Sequence, residues 1–295
     1  MPLDPAKGLR RLRAATRLAA SMAVLPRPGA QVAVAVCVDC DDHDTTVGTL
    51  SGVAVLQRIH KRLGVTGAVT WFVNQRYHWT DRYPDLLRQL LQSGDRVEMH
   101  GHAERFIGPN DAAGLRRFLS DQLDSLQTFC QGVQPGYRVE CFRSGSLDRS
   151  HDLYRALEEL GIRYDSTLAP GYRRKLYDRL VDDTDLPSSR NCFYLDPQDY
   201  KRAQPHARQI VEVPVMLAGS RSLHALLANP DRPLVLATLI HPYNVVDRQG
   251  RPNRYECAIY ELTLRAYLRL SDGNALSLRE AGERWRAAHP DGIGD

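Results

Sequence analysis

Val32-Ala-Val-Ala-Val-Cys-Val38 runs directly into Asp39-Cys-Asp41-Asp42-His43-Asp44. An apolar run of this length that ends in turn-type residues reads as a fully buried strand, which puts four carboxylates and an imidazole at its carboxyl end, facing a cleft. Carboxylates packed this closely repel one another, and burial disfavours their ionised forms further unless a cation or a shared proton compensates. The stretch points to a metal site; its bland alternative is a solvated acidic turn.

Working outward, apolar strand-like runs alternate with helical patterns, the signature of an α/β sheet or barrel. The runs are Val32 to Val38, Ala68 to Val73, Arg96 to Met99, Tyr137 to Phe142, Ile210 to Val215 and Leu234 to Ile240. Start and stop signals place helices from a Ser51 cap to about Arg62, from Tyr83 to Gln92, from Ala112 to Phe129 and from Ser150 to Leu160. The polar stretch Tyr172 to Arg208 reads as a long excursion between these elements.

Parallel α/β architectures build their active sites at the carboxyl ends of strands. Asp39 and Asp41 follow the first run, His100, His102 and Glu104 the third, Arg143 the fourth and His241 the last. Four strand ends therefore converge on one mouth, which strengthens the metal reading. Trp71, Tyr77, His78 and Trp79 lie near the same mouth as candidate sugar-stacking or core aromatics.

The 39 Lys plus Arg against 35 Asp plus Glu give a net charge of only +4, spread along the 295 residues, which argues against nucleic acid as a partner. The six cysteines are scattered through apolar segments and fit a reducing, cytoplasmic setting. Cys37 and Cys40 have Cys-x-x-Cys spacing, but residues three apart on a strand point to opposite faces, so they read as buried thiols. Residues 1–30 read as an amphipathic N-terminal helix and linker: Arg10, Arg11, Arg13 and Arg17 lie among Leu9, Leu12, Leu18 and Met22, followed by Pro26-Arg-Pro-Gly29. Arg17 leaves too short an apolar region for a signal peptide. The helix either packs on the outside of the domain or rests on the inner face of an anionic membrane. Residues 31–295 read as one catalytic domain.

The segments Val38-Asp39-Cys-Asp41, Gly67-Ala-Val-Thr-Trp-Phe-Val73, His100-Gly-His-Ala-Glu104, Phe142-Arg143-Ser-Gly145, Gly161-Ile-Arg-Tyr-Asp165-Ser-Thr167, Val211-Glu-Val-Pro-Val215 and Leu239-Ile-His241-Pro242 follow in a telling order. Together they resemble the polysaccharide deacetylase family, the NodB-homology or carbohydrate esterase 4 group, from about Val32 to Ser277-Leu-Arg-Glu280. The Asp-x-Asp form of the first motif resembles the branch of lipid-linked aminoarabinose deformylases and peptidoglycan deacetylases.

That resemblance implies a distorted (β/α)7 barrel with an extra N-terminal helix. It implies a hydrolase that uses one divalent metal, zinc ahead of manganese or iron, to remove an acetyl or formyl group from an amino sugar. The substrate would be an N-acylated, lipid-linked or nucleotide-linked sugar of cell-surface glycan assembly, of the lipopolysaccharide or O-antigen type. Carried over residue by residue, Asp39 is the general base, Asp41 and His100 are metal ligands, His241 is the general acid and Arg143 orients Asp39. The family's second metal histidine falls at Glu104, whose carboxylate can also ligate; His102 shares a face with His100 and is the rival third ligand. The competing functions are a metal-independent small-molecule amidohydrolase and a non-catalytic carbohydrate-binding protein.

Overall fold

The computed structural model describes residues 31–292 except 42–45, 75–78, 104–110, 177–178, 188, 205 and 217–222. The expected N-terminal helix, Asp42, His43, Asp44, Tyr77, His78 and Glu104 lie outside the described residues.

The run that opens the chain's parallel sheet is a single extended stretch with two sets of neighbours. Its first half, β1 (Val32–Ala35), pairs in parallel with β11 (Leu234–Ala237) and with β12 (Ala275–Leu276). After a break at Val36, β2 (Cys37–Cys40) pairs in parallel with β3 (Thr70–Asn74). From there the order is β3, β4 (Arg96–Gly101), β5 (Cys141–Ser144), β6 (Tyr164–Asp165) and β10 (Val211–Glu212), all parallel. A parallel bridge between Val215 and Ala237 carries the circuit from β10 back to β11 and so to β1. Seven parallel members thus form a distorted (β/α)7 barrel. A hairpin of β7 (Arg173–Leu176) and β8 (Arg179–Asp182), and β9 (Phe193–Tyr194) antiparallel to β10, are built from the long excursion.

Alternation along the strands separates inside from outside. Ala35, Cys37, Phe72, Cys141, Tyr164, Val211, Val235 and Ala237 pack together with Leu278, Ala281 and Trp285 of the helix Leu278–Ala288, which closes one end of the barrel. The intervening residues, among them Val34, Val38, Trp71, Met99 and Phe142, pack outward against the helices. Cys37 and Cys40 fall in these two different clusters, as their spacing requires.

Three local readings shift. The first helix is Thr46–Leu63, so Ser51 lies inside it rather than capping it, beside Gly250, where a Cβ would come 2.8 Å from Ser51 Oγ. The fourth run joins the sheet only at Cys141, because the N–H groups of Glu140 and Cys141 donate to the Glu98 carboxylate at 2.9 and 2.8 Å. The helices Arg254–Leu270 and Leu278–Ala288 carried start signals that went unread, Asn253 accepting from Glu256 N and Ser277 from Glu280 N.

Candidate metal centre and active site

Register builds the site. Asn74 pairs with His100, and His100 with Arg143, while Asp41 follows the Cys40–Val73 pair by one step. The rung at the carboxyl ends of four adjacent strands therefore runs Asp41, Asn74, His100, Arg143. Asp39 and Asp41 share a face, as do His100 and His102, because strand side chains alternate.

The ligand atoms of Asp41, His100 and His102 lie within 4.8 Å of one another, and all three residues are buried. Nδ1 of His100 donates to the Arg143 carbonyl at 2.8 Å, which leaves its Nε2 to face Asp41 Oδ1 at 3.1 Å. That buried Nε2 makes no hydrogen bond: with the proton on Nδ1, its lone pair faces the carboxylate oxygen. His102 Nε2 lies 3.0 Å from the same oxygen, and Asn74 Nδ2 donates to it at 3.2 Å. Donors held by one zinc ion at tetrahedral angles sit about 3.3 Å apart. An oxygen and two imidazole nitrogens at this spacing, one with an unused lone pair, fit a divalent cation. Gly145 leaves the room: a Cβ on it would lie 2.5 Å from the His102 ring.

Beside this group, Arg143 donates from Nη1 to Asp39 Oδ1 at 2.8 Å. Its Nε donates to the Ser166 carbonyl and its Nη2 to Ser166 Oγ, both at 2.7 Å, and its guanidinium lies 4.7 Å from the Phe72 ring centre. Burial alone would lower the Arg143 pKa, but Asp39 and Cys37, by charge and hydrogen bonding together, outweigh it and the guanidinium is held more firmly protonated than usual. His241 Nε2 lies 3.7 Å from Asp41 Oδ2, with a side chain 21 % exposed. Its ring stacks on Tyr243 at 4.7 Å, and its backbone N–H donates to Asn244 Oδ1 at 3.1 Å.

The structure thus brings Asp39, Asp41, His100, His102, Arg143 and His241 to one mouth. Glu104 lies outside the described residues, and among these the cluster takes His102 as its third donor. Asn74 and Tyr243 were missed, although Asn74 sits at a strand end where the same rule would have found it; Ser166 stood only within the segment Gly161 to Thr167. Trp71 is core, donating from Nε1 to Asp95, and Trp79 is buried too, so neither offers a stacking face. Burial pushes the Cys37 thiol up to about 11 and Cys40 well above its ordinary value, which leaves both protonated.

A structure described as a polysaccharide deacetylase from Mycobacterium smegmatis superposes with a TM-score of 0.57 over 90 % of this chain and 93 % of that one, at 18 % identity. The fold is that of a polysaccharide deacetylase. The resemblance read from the motif order therefore stands. The same deacetylase fold is shared with the Puue allantoinase, at a TM-score of 0.56 and 13 % identity over 90 % of this chain and 95 % of that one. In sequence, a peptidoglycan deacetylase-like protein of Gibberella zeae is 28 % identical over 173 residues, 55 % of this chain. The match spans 46 % of that relative, about half its length. No family model matches the chain. No helix among the described residues is long and apolar enough to cross a membrane.

Proposed function

We propose that the chain is a metal-dependent hydrolase that removes an N-acetyl or N-formyl group from an amino sugar. The observation that carries the reading is the buried Asp41, His100 and His102 cluster, with its unbonded Nε2, set beside the Asp39–Arg143 pair. The three donors would hold one divalent ion, zinc first and manganese or iron next, with Glu104 as a further candidate ligand. Such an ion lowers the pKa of a bound water and polarises the amide carbonyl.

Asp39 takes the proton of the attacking water, and Arg143 holds its carboxylate in place. His241, the most exposed member of the group, delivers a proton to the leaving amine; losing it should slow turnover roughly a hundredfold or more. The substrate we favour is an N-acylated sugar, free or lipid- or nucleotide-linked, of cell-surface glycan assembly. The five buried free cysteines fit a cytoplasmic enzyme.

Elemental mass spectrometry of protein purified without chelator tests the reading. The expected result is near-stoichiometric metal that disappears in Asp41→Ala, His100→Ala and His102→Ala, with Asp39→Asn keeping metal and losing deacylation of N-acetylated sugars. No metal, and none regained from added zinc, manganese or iron, would favour a metal-independent small-molecule amidohydrolase, a second reading prompted by the allantoinase that shares the fold. Unchanged ligand affinity together with no turnover in the metal-loaded protein would instead indicate a carbohydrate-binding protein.

A further inference from the structure

Outside the barrel, the helices Thr46–Leu63 and Arg254–Leu270 pack side by side, joined by a 2.8 Å hydrogen bond between His60 Nε2 and Tyr260 OH. Next to this contact lies a solvent-open cavity of about 360 Å³. Val55, Ile59 and Cys257 line its apolar part, and Arg58, Arg62 and Arg254 stand around it. The cavity has a single acid, Glu261, already engaged by Arg62 at 2.6 Å and by Arg265 at 2.7 Å. Arg58 and Arg254 make no side-chain ion pair or hydrogen bond among the described residues, so both guanidinium forks are free to take a ligand. The cavity also opens beside the first turn of the 17-residue helix Arg254–Leu270, whose N-terminal N–H groups add partial positive charge.

Three arginines and one carboxylate line this concavity, and the carboxylate is paired with Arg62 and Arg265, so the lining carries net positive charge at Arg58 and Arg254. An anion with several oxygens satisfies this arrangement, and guanidinium forks match phosphate oxygens in paired hydrogen bonds. The concavity is also within the size range of small-ligand sites. Arg58 lies about three turns along the helix that starts just after Asp41, which places the cavity on the barrel's outer wall, away from the mouth.

We propose that this cavity is a phosphate-binding site, in which Arg58 and Arg254, supported by Arg62, grip a phosphate-bearing anion. The site is independent of the deacylase reading and stands or falls without it.

Cys257 provides a local readout, because the other five cysteines are buried and it alone is partly exposed. The alkylation rate of Cys257 by iodoacetamide, in the full chain, is measured with increasing inorganic pyrophosphate, chloride holding the ionic strength constant. The expected result is a saturable slowing of threefold or more that vanishes in the Arg58→Gln/Arg254→Gln double variant. A second arm measures co-sedimentation with phosphatidylglycerol vesicles against phosphatidylcholine vesicles. Pyrophosphate protection without vesicle binding identifies a soluble phosphate ligand. Arg58- and Arg254-dependent binding to phosphatidylglycerol identifies a lipid headgroup. The proposal is overturned if neither occurs, if chloride alone protects equally, or if protection and vesicle binding persist in the double variant.

Discussion

At Gly145 the missing side chain makes room for an imidazole, since a Cβ there would meet the His102 ring at 2.5 Å. Gly145→Ala should push His102 away from Asp41 and weaken metal binding about 10–100-fold, the usual effect of disturbing a ligand's support. Competition with a chromogenic chelator measures this, and unchanged affinity would remove His102 from the ligand set. Arg143 poses a different residue-scale question. It is fully buried and paired with an almost equally buried Asp39. Arg143→Met leaves that carboxylate uncompensated and should cost about 3–5 kcal/mol, because a buried charge without its partner is expensive. Adding Asp39→Asn should recover much of the loss in urea unfolding. If the double variant is no more stable than Arg143→Met, the uncompensated charge is not the cause.

Between β6 and β10 the register sets Asp165 directly opposite Glu212, and both are wholly buried. Thr167 Oγ1 donates to Asp165 Oδ1 and Leu168 N to Glu212 Oε1, each at 2.9 Å, while no other group donates to Asp165 Oδ2 or Glu212 Oε2. Burial raises both carboxyls, and the Asp165 charge raises Glu212 further, so the pair keeps a proton, held on Glu212. A raised folded-state pKa contributes stability that is complete below the ordinary carboxyl pKa and is lost as pH rises toward the folded value. Glu212→Gln substitutes a permanent donor and should gain stability over the native chain progressively from pH 4.5 to pH 8. Urea midpoints at the two pH values measure the trend, and a pH-independent difference would contradict the shared proton. The sequence presented Asp165 only within the segment Gly161 to Thr167. Its partner was hidden, because Glu212 sits 47 residues away and only the register brings the two together.

Across the whole molecule, the helix Leu278–Ala288 is the floor of the barrel. Trp285 is fully buried among interior residues of the strands, in edge contact with Tyr194, and its Nε1 donates to Asp231 at 3.3 Å. Trp285→Ala should cost about 3–5 kcal/mol, the range for emptying a large aromatic site. Thermal and urea unfolding measure it, and a change below 1 kcal/mol would mean that the barrel floor closes without it.

The sequence by itself determined six of the seven barrel strands, all but β6, that polar residues gather at their carboxyl ends, and that Asp39 shares a face with Asp41 and His100 with His102. These follow from a two-residue alternation that any strand imposes locally. Only the tertiary structure decided that the first run changes neighbours at Val36, that Asp41 meets both His100 and His102, and that Arg143 grips Asp39 across 104 residues. Those contacts depend on strand register. A one-residue slip turns every side chain to the opposite face, and the packing of the whole barrel, not any local pattern, excludes the slip.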